Sequence, residues 1–210
     1  MNDFRGRVYG FGVLNPTNQK VSRALISFGH AKKVGEREKY WLYVHMANSA
    51  GWDDKESNDA RFKATESRLD FIQQIGNDPI HTQALWDTLD NPWQSITTAI
   101  HIAKYLKSRE NGEDYYCNLP VFQDGTCNGL QHYGAMSRSQ TVCDLVNLAP
   151  YDKPQDIYGA IASRLKDRIY SDFEMGKHQL PDHLISKVKQ LISRKIVKRP
   201  IMTLPYGSCG

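Results

Sequence analysis

The stretch RKIVKRPIMTLPYG, Arg194 to Gly207, sets four cations within six residues and ends on a tyrosine and a glycine. Arg194, Lys198, Met202 and Tyr206 recur every four residues, so on a helix the two cations share one face. A pair of cations one turn apart can clamp a polyphosphate, and phosphoryl chemistry depends largely on positioning and charge neutralisation. A tyrosine beside a glycine offers a flat ring where backbone must come close to a base or sugar. The same pattern also fits a solvated basic face with Tyr206 in the core, and Pro200 and Pro205 each remove a backbone donor from such a helix. Asp124-Gly125 follows the short apolar run Leu119–Phe122. A carboxylate at the end of a buried strand suits Mg²⁺, which takes few carboxylates plus waters and phosphates, although Asp-Gly also makes simple turns. In DFRGR, Arg5 and Arg7 flank a glycine and can meet a nucleic-acid backbone or simply line a surface loop.

The elements that must position these groups are mostly helical. Glu38–Ala50 has no helix breaker, and residues 57–75 read as one amphipathic helix through Phe62, Leu69, Phe71 and Ile72. Asn91-Pro92 opens a helix whose apolar stripe is Trp93, Ile96, Ile100, Ala103 and Leu106. Leu119–Phe122 reads as a buried strand presenting Asp124, and Leu130–Ser137 reads as helical. Asp152 with Gln155 resembles a capping box, which starts a helix there with a stripe at Ile157, Ile161, Leu165 and Ile169. Leu184–Ile192 begins the last helical segment. The opening DFRGRVYGFGVLNPTNQK reads as strands and turns. The fold class is therefore α+β and mostly helical.

Charge is concentrated at one end. The net charge is +4, and the six cations after Asp182 meet no acidic residue, so the first 182 residues sum to −2. That polarity points to a phosphate-bearing partner met at one place, or to a solvated basic face. Four scattered cysteines without a CxxC pair argue against a disulfide framework or a zinc site and suit a reducing compartment. No apolar run approaches the ~20 residues that span a bilayer, so no membrane partner is expected. The amino-terminal stretch lacks the apolar core of a signal peptide.

Three stretches in order carry a resemblance. Asp3-x-x-Gly6-Arg7 resembles the DxxGR motif of single-subunit DNA-dependent RNA polymerases, the phage and mitochondrial family. DGTCNGLQHYGAM, Asp124 to Met136, is similar to motif A of that family, and VNLAPYDKPQDIYG resembles the segment after it. RKIVKRPIMTLPYG resembles motif B. The DNA polymerase I family shares the motif B spacing, but its motif A is of a DYSQIE type that Asp124–Gln131 does not resemble.

The resemblance implies part of a right-hand polymerase, with a partial palm over 1–140 and the start of the fingers over 141–210. It implies template-directed transfer of nucleotides from NTPs to an RNA 3′ end, with a DNA template, an RNA product and two Mg²⁺ ions in a monomeric complete enzyme. By resemblance, Asp124 and the Gly125 carbonyl bind metal. Arg194 and Lys198 hold the triphosphate, and Lys198, Tyr206 and Asp124 take part in catalysis. Tyr206 stands by the sugar, Gly207 by the template base and Tyr158 near the nucleotide. Arg5 and Arg7 contact template or hybrid backbone, while Gln131 and His132 support motif A structurally. The prolines at 200 and 205 depart from the family pattern and call a straight helix into question. The later His-Asp motif that supplies a second metal-binding aspartate does not occur in these residues. The chain is thus expected to be an internal fragment, inactive alone, from an enzyme of a phage's bacterial host cytoplasm or, alternatively, the mitochondrial matrix. The competing expectation is a non-catalytic nucleic-acid-binding protein on the same scaffold, for which the basic tail and the Arg5/Arg7 loop suffice.

Overall fold

The computed structural model describes residues 2, 8–17, 20–53, 56–121, 125–177 and 181–206; for Asp182, Lys189 and Tyr206 it describes the backbone only. The chain forms two compact units, Met1–Gln123 and Asp124–Gly210.

The first unit contains α1 (Lys20–Leu25), β1 (Lys32–Lys33), α2 (Glu36–Ala50), α3 (Asn58–Glu66), α4 (Leu69–Asn77), α5 (Gln83–Trp86), α6 (Pro92–Glu110) and β2 (Tyr116–Cys117). β1 and β2 pair antiparallel, with Lys32 opposite Cys117 and Lys33 opposite Tyr116. Asn2 and Val8 form an isolated antiparallel bridge. Tyr43 and Met46 of α2, Ile72 and Ile75 of α4 and Ile102 of α6 are all but inaccessible and form the core. Gly51 ends α2 in the left-handed conformation at φ 78°, which a glycine adopts without a Cβ penalty.

α4 approaches α6 closely at Gly76. A Cβ on Gly76 would stand 2.7 Å from the Ala103 Cβ and collide with the carbonyl oxygen of Ala99. This close approach explains why the buried face of α6 is Ser95, Thr98, Ala99, Ile102, Ala103 and Tyr105. It replaces part of the expected stripe: Trp93 is 42 % exposed, and Ile96 and Leu106 only flank the core.

Two further expectations are corrected in this unit. Residues 57–75 are two helices. The Ser67 hydroxyl and the Arg68 guanidinium both donate to the Ala64 carbonyl, at 3.1 and 2.7 Å, and this side-chain capture ends α3. Leu119–Val121 is not a strand. Asn118 exchanges hydrogen bonds with Phe28 just past β2, Pro120 has no amide to extend a ladder, and Val121 is 55 % exposed. Phe122 and Asp124 lie outside the described residues.

Burial holds the imidazoles of His45 and His101 below their ordinary value, with Lys104 adding to the effect at His101. For a depressed base the unfolded chain takes up protons first, so stability is full above the ordinary histidine range near 6.5 and declines as pH falls through it. All four tryptophans, at 41, 52, 86 and 93, belong to this unit, so their fluorescence reports its unfolding. Urea midpoints read this way are expected to fall between pH 7.5 and 5.5, and His45→Gln is expected to flatten the slope. Equal slopes in both proteins would refute the contribution of His45.

The second unit contains α7 (Asn128–Ser137), α8 (Gln140–Leu145), α9 (Ile157–Glu174), α10 (Asp182–Leu191), α11 (Arg194–Thr203) and a 3₁₀ turn over Leu204–Tyr206. The expected helix start at Asp152 is corrected to Ile157. Asn147, at φ 62°, accepts a hydrogen bond from the Gln155 amide at 2.6 Å and donates to the Gln155 carbonyl at 2.9 Å. This clamp keeps the segment before Asp156 out of the helix. The last helical segment is also two helices, broken at Ile192 and Ser193, whose backbones are extended. Ile192 turns inward there and packs with Ala162 and Val197. α11 runs through Pro200 and tightens into the 3₁₀ turn that contains Pro205.

Among the described residues no helix is long and apolar enough to cross a membrane.

Candidate nucleotide site

The site is built where α7, α9 and α11 meet in the second unit. Val146, Ile157 and Tyr158 form a small buried cluster, against which Cys127, Leu130 and Ile201 pack. Each of the last two motifs thus delivers an apolar residue to one place: Cys127 and Leu130 from the DGTCNGLQH stretch, and Ile201 from RKIVKRPIMTLPYG. Gln131 Nε2 donates to the Val146 carbonyl at 2.8 Å, and the Cys127 thiol points at the same oxygen at 3.7 Å. Cys127 holds φ at 40°, a left-handed turn that launches α7 immediately after Gly125 and Thr126.

The break at Ile192–Ser193 makes Arg194 the first residue of α11. Its Nε donates to Asp156 Oδ2 at 2.6 Å, and its guanidinium carbon lies 5.7 Å from the centroid of the Tyr158 ring. Tyr158 is 8 % exposed, so its ring is a fixed wall, and a cation over an aromatic face is attracted by the ring quadrupole. Burial pushes the Asp156 carboxyl up, but the hydrogen bond and charge of Arg194 outweigh it and leave the group below the ordinary carboxylate range. The carboxylate makes no capping hydrogen bond of good geometry, yet the amides of Gly159 and Tyr158 at the start of α9 add to the same preference for the anion. Burial, and then the Asp156 charge, push the Cys127 thiol up, which makes this cysteine a packing residue rather than a nucleophile. Lys198 lies one turn beyond Arg194, is exposed, and makes no ion pair or hydrogen bond among the described residues.

The structure brings Arg194 and Tyr158 together and sets Lys198 on the same helix as Arg194. Gln131 supports the motif A segment, but His132 is exposed and supports nothing among the described residues. Asp124, Arg5, Arg7, Gly207 and the side chain of Tyr206 lie outside the described residues. Gly125 is described and exposed. Among the described residues there is no group of three or more His, Cys, Asp or Glu side chains that could hold a metal. The donor set expected for Mg²⁺, the Asp124 carboxylate and the Gly125 carbonyl, is of hard oxygens, which fits that ion. A helix start at Asp152, as the sequence suggests, would place Asp156 in the second turn, whereas it stands directly before α9. An aspartate directly before an apolar stripe is itself a helix-start signature, and it marks this position.

A family model described as DNA-dependent RNA polymerase matches residues 32–209. The chain is 34 % identical over 208 residues to "DNA-directed RNA polymerase 2, chloroplastic/mitochondrial" of Nicotiana sylvestris. It is 35 % identical over 208 residues to the protein of the same name in Arabidopsis thaliana, and 32 % identical over 206 residues to "DNA-directed RNA polymerase, mitochondrial" of Homo sapiens. These alignments cover 98 % of this chain in each case, and 20 %, 20 % and 16 % of the respective relatives. The chain belongs to the DNA-dependent RNA polymerase family, in its single-subunit form. It spans about a fifth of the length of the curated relatives it matches.

Proposed function

We propose that this chain carries the triphosphate-binding part of a template-directed RNA polymerase, which transfers nucleotides from NTPs to an RNA 3′ end on a DNA template. The observation that supports it best is the cluster at Val146, Ile157 and Tyr158, into which both the DGTCNGLQH segment and the Arg194–Lys198 helix pack. That arrangement ties the expected metal-binding loop to the expected phosphate clamp through one rigid contact. Arg194 and Lys198 neutralise the triphosphate, and the Tyr158 ring limits where the guanidinium can go. Mg²⁺ on Asp124 and the Gly125 carbonyl would activate the RNA 3′-hydroxyl and stabilise the leaving pyrophosphate. In the complete enzyme, residues 1–140 would belong to the palm and 141–210 to the fingers, and the enzyme would act as a monomer. The relatives named above are organellar polymerases by name, which favours the mitochondrial matrix over a phage-infected cell as the place of action.

The test is RNA extension on a DNA template by the enzyme expressed from its complete gene. Lys198→Ala is expected to raise the NTP concentration needed for half-maximal extension while template binding persists. Template binding with no extension by the wild-type enzyme would favour the non-catalytic reading instead. Tyr206 is proposed to stand at the nucleotide sugar, so Tyr206→Phe is expected to admit deoxynucleotides by at least about tenfold, the scale of one lost polar contact. Unchanged ribose-to-deoxyribose selectivity would remove Tyr206 from that role.

A further inference from the structure

Arg194 and Lys195 occupy the first turn of α11. The amino terminus of a helix carries partial positive charge, so cations there stand against its dipole. Lys198 and Arg199 add two more positive charges a turn later. Cations crowded in this way repel one another, and long exposed side chains lose much rotamer freedom when a ligand fixes them. Arg194 is held against both effects. Asp156 Oδ2 takes its Nε hydrogen at 2.6 Å, and the guanidinium carbon stands 5.7 Å from the centroid of the Tyr158 ring. The two partners sit two residues apart at the start of α9, and Ala162 of α9 packs with Val197 of α11 and with Ile192 just before it. The guanidinium is thus bonded at Nε and neighboured by an aromatic ring, both from the start of α9.

We infer that Asp156 is a positioning residue for nucleotide binding: by holding Arg194 at Nε against the Tyr158 ring, it aims the guanidinium at the phosphates before the NTP arrives. The inference rests on the proposed role of Arg194 in binding the triphosphate. A purely structural ion pair is the weaker account, because both side chains are close to half exposed, at 46 % and 40 %, and such pairs add little to folding stability. A masking role makes the opposite prediction, since removing the carboxylate would then tighten NTP binding.

The experiment is single-nucleotide extension across a range of NTP concentrations by the complete enzyme, with the melting temperature of each variant measured alongside. Asp156→Ala is expected to raise KM for NTP about tenfold, with kcat changed far less, as misplacing a binding group does. Asp156→Asn keeps an oxygen acceptor of the same size, so it is expected to fall between wild type and Asp156→Ala, and it carries the test if Asp156→Ala does not fold. The Asp156→Ala/Arg194→Ala double variant is expected to match Arg194→Ala within about a factor of two, whereas Asp156→Ala/Lys198→Ala is expected to multiply the single effects. A multiplicative Asp156→Ala/Arg194→Ala pair, or a lowered KM in Asp156→Ala, would overturn the inference alone. An unchanged KM in Arg194→Ala would overturn the phosphate role of Arg194, and the inference with it.

Discussion

Asp124→Asn in the complete polymerase is expected to reduce RNA extension by roughly a thousandfold or more, while binding to a template–RNA hybrid changes by no more than about twofold. The substitution keeps the size of the side chain and removes one negative charge, so folding around it should survive. What is lost is an anionic oxygen, and a divalent cation held by few protein ligands depends on each of them. In the proposed enzyme the hybrid would be held through its phosphate backbone, to which a carboxylate contributes no attraction. Single-turnover extension and hybrid binding, measured on the same preparation, separate the two effects. Extension within tenfold of wild type would remove Asp124 from the metal site. Parallel loss of extension and binding would mark it as a structural residue.

The second large effect concerns stability. Gly76→Ala is expected to destabilise the first unit by on the order of 2 kcal/mol or more, the range of core overpacking. The added methyl would collide with the Ala99 carbonyl oxygen and the Ala103 methyl. A backbone carbonyl inside a helix cannot rotate away as a flexible side-chain end can. Relief therefore requires α4 and α6 to move apart, and their separation loosens the contacts of Ile72, Ile75 and Ile102 together. For a unit of this size such a loss lowers the melting temperature by roughly 10 °C. Tryptophan fluorescence reads it directly, since every tryptophan lies in that unit. A melting temperature within 2–3 °C of wild type, on the same scale, would show that the helix pair can yield.

The same close approach explains where sequence reading succeeded and where it failed. The start of α6 was legible because Asn91-Pro92 is a local signal that needs no tertiary context. Its buried face was not, because a glycine on another helix draws the small residues Ala99 and Ala103 inward at the contact, while Trp93 stays half-exposed. The boundaries at residues 67, 156 and 193 were missed for a related reason. The first two are set by side chains bonding to backbone: Arg68 on Ala64 and Asn147 on Gln155. Periodicity is blind to such bonds. At the site, the four-residue spacing of Arg194 and Lys198 was legible as a shared helix face, and Tyr158 could be placed near them only through the family resemblance. Asp156 lies 38 residues from Arg194 in sequence, and only the packing of α9 on α11 reveals the pair.

The β1–β2 ladder joins segments far apart in the chain: Lys33 meets Asp114 across 81 residues, and Phe28 meets Asn118 across 90. Closing so long a loop in an open chain costs entropy that two residues of pairing per strand repay poorly. The contacts between α2 and α3 and between α4 and α6 span much shorter separations and can form earlier. The ladder then acts as a clasp on a bundle already assembled. It is expected to fasten once the helices have brought both ends within reach, and its amides are expected to exchange with solvent before those of the buried helices.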